Sequence, residues 1–192
     1  IDKDMDVEDN IKFAKKCAQY GVKVVFSTFV GIPLLNHSHK ELVEKTDNQI
    51  QATIDMFDEV LAMDERHRGL MFIYAPYPGT PLYENAVKLG FDPPTTLEGW
   101  GKFNLYDKHT PWITRRQEQL VPMISSYIFM FMDKDTLKWI RKRIKNPVLS
   151  KLFVILFRCA RPIARLRWKN KFFSMPLDYH LFALARTYNT AI

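Results

Sequence analysis

Hydrophobic positions follow two periods along the first ninety residues of this chain. From Val7 they recur at Ile11, Ala14 and Ala18, the spacing of one helical face, with Asp6 placed to cap the start and Gly21 to end it. Val22 to Val30 is then nearly continuous, Val-Lys-Val-Val-Phe-Ser-Thr-Phe-Val, which predicts a strand covered on both faces and stopped by Gly31-Ile-Pro33. Ser38 and Glu41 form a capping box for a long helix along which Leu42, Thr46, Ile50, Ile54, Phe57 and Leu61 make one stripe. Leu70 to Tyr74 predicts a second strand. It runs into a stiff turn, because Pro76, Pro78 and Pro81 fix φ and Gly79 supplies a positive φ.

Helix, strand, helix, strand is the repeating unit of a parallel α/β sheet, since parallel strands need a helical crossover. Two parallel strands alone cannot bury both faces or satisfy both edges. The pattern therefore asks for further strands, supplied by a longer parent chain, the favoured reading, or by a partner. A first residue Ile1 rather than Met fits a fragment or a processed product.

After this unit the pattern changes. Glu84 to Leu89 predicts a short helix closed by Gly90, and residues 91–113 read as a loop linker without strand signal. Residues 114–192 read as a helical extension. Thr114 and Gln117 cap a helix bearing Leu120, Ile124, Tyr127, Ile128 and Phe131; Asp135 to Lys145 follows with Leu137, Ile140 and Ile144. Next comes Val148 to Trp168, interrupted by Pro162, and then Pro176 to Tyr188 with Leu177, Leu181, Leu184 and Tyr188 in register.

Charge sharpens this division. The net charge is +7, yet residues 1–133 carry 14 basic and 19 acidic side chains while 134–192 carry 14 basic and 2 acidic ones. On a wheel from Leu149, the residues Leu152, Phe153, Leu156, Ala160 and Ile163 cluster, with Lys151, Arg158, Arg161 and Arg165 roughly opposite. The favoured reading is a helix packed on its own domain with a solvated basic face. An amphipathic surface for anionic membrane or for nucleic acid stays open beside it, the aromatics of Arg165-Leu-Arg-Trp-Lys-Asn-Lys-Phe-Phe173 among them.

Little in the composition carries chemistry by itself. The two cysteines, Cys17 and Cys159, have no metal spacing and point to a reduced, cytoplasmic protein, for which no signal peptide is expected before Asp2. His37, His39, His67, His109 and His180 read as surface or loop residues without ligand-spaced neighbours. Asp64 and Glu65 at a helix end allow an acid/base role, with ordinary solvation the plainer reading. No Walker loop, Gly-x-Gly-x-x-Gly or nucleophile motif is present, so neither catalytic nor metal-ligating residues are assigned.

Ile1-Asp-Lys-Asp4, Phe26-Ser-Thr-Phe-Val-Gly-Ile-Pro33, Thr46, Tyr74-Ala-Pro-Tyr-Pro-Gly-Thr-Pro-Leu-Tyr83 and Leu97-Glu-Gly-Trp100 occur in this order over about the first 110 residues. In this the chain resembles radical S-adenosylmethionine enzymes, in particular the branch with an N-terminal cobalamin-binding domain typified by the anaerobic magnesium-protoporphyrin monomethyl ester cyclase. The resemblance implies an α/β fold: residues 1–90 as the C-terminal part of a partial (β/α)6 TIM-like barrel, strands five and six being Val22–Val30 and Leu70–Tyr74, followed by an all-helical extension. It implies that Phe29, Gly31 and Pro33 after strand five, with Tyr74 and Pro76 after strand six, bind S-adenosylmethionine, and that Tyr77, Gly79 and Thr80 form a loop near the substrate.

The implied cofactors are S-adenosylmethionine, a [4Fe–4S] cluster whose Cys-x-x-x-Cys-x-x-Cys ligands belong to an upstream part, and cobalamin as a further cofactor of the branch. In such enzymes the reduced cluster splits S-adenosylmethionine to a 5′-deoxyadenosyl radical, or a methyl group moves by way of cobalamin. The implied partners are the upstream half of the same protein, an electron donor and a small-molecule substrate, with the basic tail as a peripheral contact to anionic membrane. The parent is then an enzyme, an oxidoreductase or methyltransferase, and this chain alone is inactive because it lacks the cluster cysteines. Leu34 and Leu35 stand where the family has an acidic residue after the strand-five Gly-x-Pro. The competing reading is a non-catalytic interaction module built on the basic helices.

Overall fold

The computed structural model describes residues 6–103, 110–133, 135–174 and 177–180. His109, Leu181, Leu184, Tyr188 and the Ile1-Asp-Lys-Asp4 start lie outside them, as does the side chain of Ile140. The chain forms two compact units, Ile1–Pro122 and Met123–Ile192. The first extends past the Thr114 boundary because helix α5 (Arg115–Pro122) packs on a strand and its Gln117 amide donates to Val43 O and Asp47 Oδ1 in α2 (His39–Met63).

In the first unit α1 (Val7–Gln19) starts at Asp6, whose carboxylate accepts from the Asp9 N–H at 2.8 Å. Strands β1 (Val25–Val30) and β2 (Arg68–Ile73) pair in parallel, Val25 opposite Arg68 through Val30 opposite Ile73, with α2 as the crossover. Helix α2 begins with the expected capping box at Ser38 and Glu41. Its buried stripe passes through Leu42, Thr46, Ile50, Ile54, Phe57 and Val60, leaving Leu61 half-buried. Steps of four residues overshoot a helical turn by about 40°, so the stripe regains its face by steps of three.

Burial along the strands alternates. Phe26 and Val30 lie with Gly69, Met71 and Ile73 on a covered face, where the Phe57 ring occupies the space a side chain at Gly69 would need. On the other face Val25 is 51% and Phe29 46% exposed, beside half-buried Leu70 and Phe72. The expectation of two covered faces is thus corrected: the apolar run reflects one packed face and one apolar face left open.

His67 is buried where α1 meets the sheet: its Nδ1 accepts from the Val24 N–H at 3.1 Å and its Nε2 lies 3.3 Å from Ala14 O. It is not a surface histidine, because both ring nitrogens tie backbone from separate elements together. After β2 come α3 (Tyr83–Lys88) and α4 (Leu97–Lys102). Helix α4 replaces part of the expected loop because Thr96 caps it, accepting from Gly99 N–H at 3.0 Å.

The second unit contains a π-helical turn (Met123–Ile128), α6 (Phe129–Met132), α7 (Asp135–Arg143) and α8 (Pro147–Lys169). Helix α8 runs unbroken through Pro162, contrary to the interruption expected there. Pro162 and Arg158 are both exposed, so the carbonyl that loses its donor can be solvated. Its buried face is Val154, Phe157, Ala164 and Trp168, which meet α6 through Phe131–Phe157 and Phe129–Trp168 ring pairs, each at 5.0 Å. Leu152, Leu156 and Ile163 are instead exposed, so the apolar cluster read from the wheel is not the core side.

The unit is closed by Asp178, whose carboxylate receives Arg167 in a bidentate pair at 2.6 and 2.8 Å and the Tyr127 hydroxyl at 2.7 Å. Burial opposes charge on Asp178, but the Arg167 and Tyr127 hydrogen bonds hold its carboxyl below the usual range. Burial and the Asp178 bond push the Tyr127 phenol well above its ordinary value. Among the described residues no helix is long and apolar enough to cross a membrane.

Candidate functional site

The C-terminal ends of β1 and β2 lie side by side, and most of the residues singled out from the sequence gather there. Phe29 stands opposite Phe72 on the open face, ring centroids 6.1 Å apart. One residue on, the Tyr74 N–H donates to Val30 O at 2.8 Å and carries the ladder past β2. Pro76 follows, buried.

Gly31 turns the chain off β1 at φ +74°. Its N–H donates to Gln49 Oε1 at 2.8 Å, its carbonyl accepts from Trp112 Nε1 at 2.9 Å, and the Ile113 side chain fills the position a Cβ would take. The close approach that demands glycine here is made by Ile113. Pro33 is buried with its carbonyl 3.4 Å from the Asn85 amide of α3, which ties the two loops at this end of the sheet.

Tyr77, Pro78, Gly79 and Thr80 make a β-turn. Pro78 and Gly79 are central, Gly79 at φ +82°, and Thr80 N–H closes on Tyr77 O at 3.3 Å, the type II pattern. The Thr80 hydroxyl also donates to Tyr77 O at 2.8 Å and lies 3.2 Å from the Tyr74 hydroxyl, so the loop is braced against the strand end. Tyr77 leans on Trp100 and Phe103, ring centroids 6.1 and 5.7 Å away, and the row continues from Phe103 to Phe91 at 5.5 Å and on to Tyr83 at 6.5 Å. Through this aromatic row Trp100, of Leu97-Glu-Gly-Trp100, packs beside the proline loop.

Of the two acid/base candidates, Asp64 is engaged in holding the helix end. Asp64 caps α2 and receives the Arg66 side chain at 2.6 and 3.0 Å and its N–H at 2.9 Å, bonds that pull its carboxyl down to about 2. It stays ionised over the range where proton transfer is useful. His37 and His39 engage backbone carbonyls, of Leu35 at 3.1 Å and Pro111 at 2.6 Å, and His180 is exposed.

A cluster needs three thiolates; Cys17 and Cys159 are free and belong to different units, and no group of three ligating side chains occurs among the described residues. This chain does not fit an iron–sulfur cluster. For S-adenosylmethionine the fit is partial. The open ring of Phe29 suits an adenine face, whereas the backbone groups of Gly31 and the Tyr74 N–H are already engaged within the unit.

Gln49, Asn85, Trp112 and Ile113 were not singled out from the sequence. A tryptophan inside a stretch read as linker was the one available signal, since so large an apolar side chain rarely stays in solvent. Compared with family models, with curated proteins and with solved structures, the chain matches none of them.

Proposed function

We propose that this chain is the C-terminal part of a radical S-adenosylmethionine enzyme of the cobalamin-binding branch. It contributes the last two strands of a partial (β/α)6 barrel, one wall of the S-adenosylmethionine pocket and a braced loop beside the substrate. The observation that carries this reading is the open apolar face of the parallel pair, where Phe29 and Phe72 meet at the carboxyl end of the strands. A barrel strand needs helices on one face and an interior on the other, and α2 covers only one face here. Ligands of parallel α/β folds sit at the carboxyl ends of the strands.

Cluster, cobalamin and electron donor belong to the upstream half and other partners. The residues in hand bind and orient: Phe29 packs on the nucleoside, Gly31 and Pro33 fix the loop beneath it, and Tyr74 and Pro76 direct the chain into the Tyr77–Thr80 turn. S-adenosylmethionine, when bound, supplies the radical or methyl chemistry of the class.

Two measurements test this. The coding sequence upstream of Ile1 is expected to contain an in-frame Cys-x-x-x-Cys-x-x-Cys, and a start codon with no such triplet before it overturns the class. In the anaerobically reconstituted parent, Phe29→Ala is expected to weaken S-adenosylmethionine binding by roughly 5- to 150-fold, the worth of about 1–3 kcal/mol of aromatic stacking on a base. Unchanged affinity by calorimetric titration removes Phe29 from the pocket.

A further inference from the structure

Helix α8 has three faces, and only one is spent on the fold. Opposite the buried Val154, Phe157, Ala164 and Trp168 runs an aliphatic strip of Leu149, Leu152, Ile155, Leu156, Ile163 and Leu166, each 46–63% exposed, with exposed Cys159 in its middle. At 100° per residue the strip spans about 120° of the helix surface. Along one border lie Lys151, Arg158, Arg165 and Lys169, all exposed. A cleft of about 310 Å³ at this border is lined by Arg141 of α7 and by Ser150, Lys151, Val154, Ile155 and Arg158.

Charge identifies the occupant. Residues 136–177 contain 12 lysines and arginines and no aspartate or glutamate. A second copy would bring like charges against each other along the same border. A nucleic acid would leave the strip without a partner, since its residues are aliphatic and offer no ring for a base. An anionic bilayer meets both features at once, apolar beneath and phosphate at the rim. The helix, 23 residues and about 34 Å long, has the proportions of one lying in the interface rather than crossing it.

We propose that α8 docks in the plane of an anionic membrane, its aliphatic strip in the acyl boundary and its basic border and the α7–α8 cleft on lipid phosphates. This stands independently of the barrel reading of the first unit.

The 192-residue chain carries its own probes, because Cys159 sits in the strip and Cys17 in the other unit. Binding is measured by co-sedimentation with vesicles of phosphatidylcholine alone or mixed with phosphatidylglycerol, and maleimide labelling of both cysteines is followed on the same samples. Expected are at least about tenfold stronger binding to the anionic vesicles, weakened by added salt, and slowed labelling of Cys159 with Cys17 unchanged. Leu152→Ser/Leu156→Ser/Ile163→Ser and Lys151→Gln/Arg158→Gln/Arg165→Gln alter exposed positions, keep the helical circular dichroism, and each lose most of the binding. The proposal falls if both vesicle types bind alike, if binding leaves Cys159 labelling unchanged, or if the aliphatic variant still binds. It falls equally if Cys159 is protected without lipid as protein concentration rises, which assigns the strip to a second copy, or if duplex DNA protects it and vesicles do not.

Discussion

At Gly31 the backbone turns left-handed between a hydrogen bond from its N–H to α2 and one to its carbonyl from Trp112, with Ile113 lying where a side chain would go. Gly31→Ala therefore costs about 1–2 kcal/mol for the backbone alone, plus the displacement of Ile113. Urea unfolding is expected to show both parts, and adding Ile113→Val should relieve only the second. Asp64 gives a prediction in pH. Its folded carboxyl lies at about 2, below the 3.8 of the free group, so its bonds to Arg66 stabilise fully above about pH 4 and are lost as pH falls through about 2. The stability difference between the protein and Asp64→Asn should be constant from neutral pH down to that window and vanish beneath it. A Gly-x-Pro turn at Gly31 was legible in the sequence from residue types alone. The source of its constraint was not, because Gln49 and Trp112 arrive from 18 and 81 residues away. His67 escaped for the same reason: spacing says nothing about Val24 and Ala14 closing on the two sides of a ring.

Elements with a local signature were read well. The caps at Asp6, Ser38 and Thr114 lie where the sequence put them, and the strands pair in the parallel sense that a helical crossover requires. Failures came where an element is apolar on more than one side. In β1 a continuous hydrophobic run stands for one packed face and one open face. In α8 the wheel gave one apolar cluster, Leu152, Phe153, Leu156, Ala160 and Ile163, whereas the facing rings of Phe129 and Phe131 make Phe157 and Trp168 the inner side. Pro162 read as a break because the rule for prolines assumes a carbonyl with nowhere to turn, whereas here Arg158, which carries that carbonyl, is an exposed residue.

The two compact units are held by different kinds of interaction. The first is an α/β layer in which neutral groups close several of the long-range polar contacts, as Gly31 with Trp112 and with Gln49. The second rests on a charged one, Arg167 and Tyr127 converging on Asp178, with Arg167 also donating to Phe172 O and Ser174 O at 3.0 and 3.1 Å. Asp178→Asn keeps the shape and removes the charge, leaving the 9% exposed Arg167 guanidinium without its counter-ion. A loss of about 3 kcal/mol is expected, the lower end for a broken buried pair because Asp178 retains 20% exposure. Amide hydrogen exchange should read it as faster exchange in the second unit with the first unchanged, and an equal rise in both would refute the assignment.

The span of that closure sets an order of events during synthesis. Tyr127 leaves the ribosome 51 residues ahead of Asp178, so the second unit cannot lock until Asp178 has emerged, whereas His67 and the strand pair can close much earlier. A nascent chain stalled before Asp178 should therefore resist protease over its first unit and be cut readily in α8, and it gains protection there only once the segment carrying Asp178 is free.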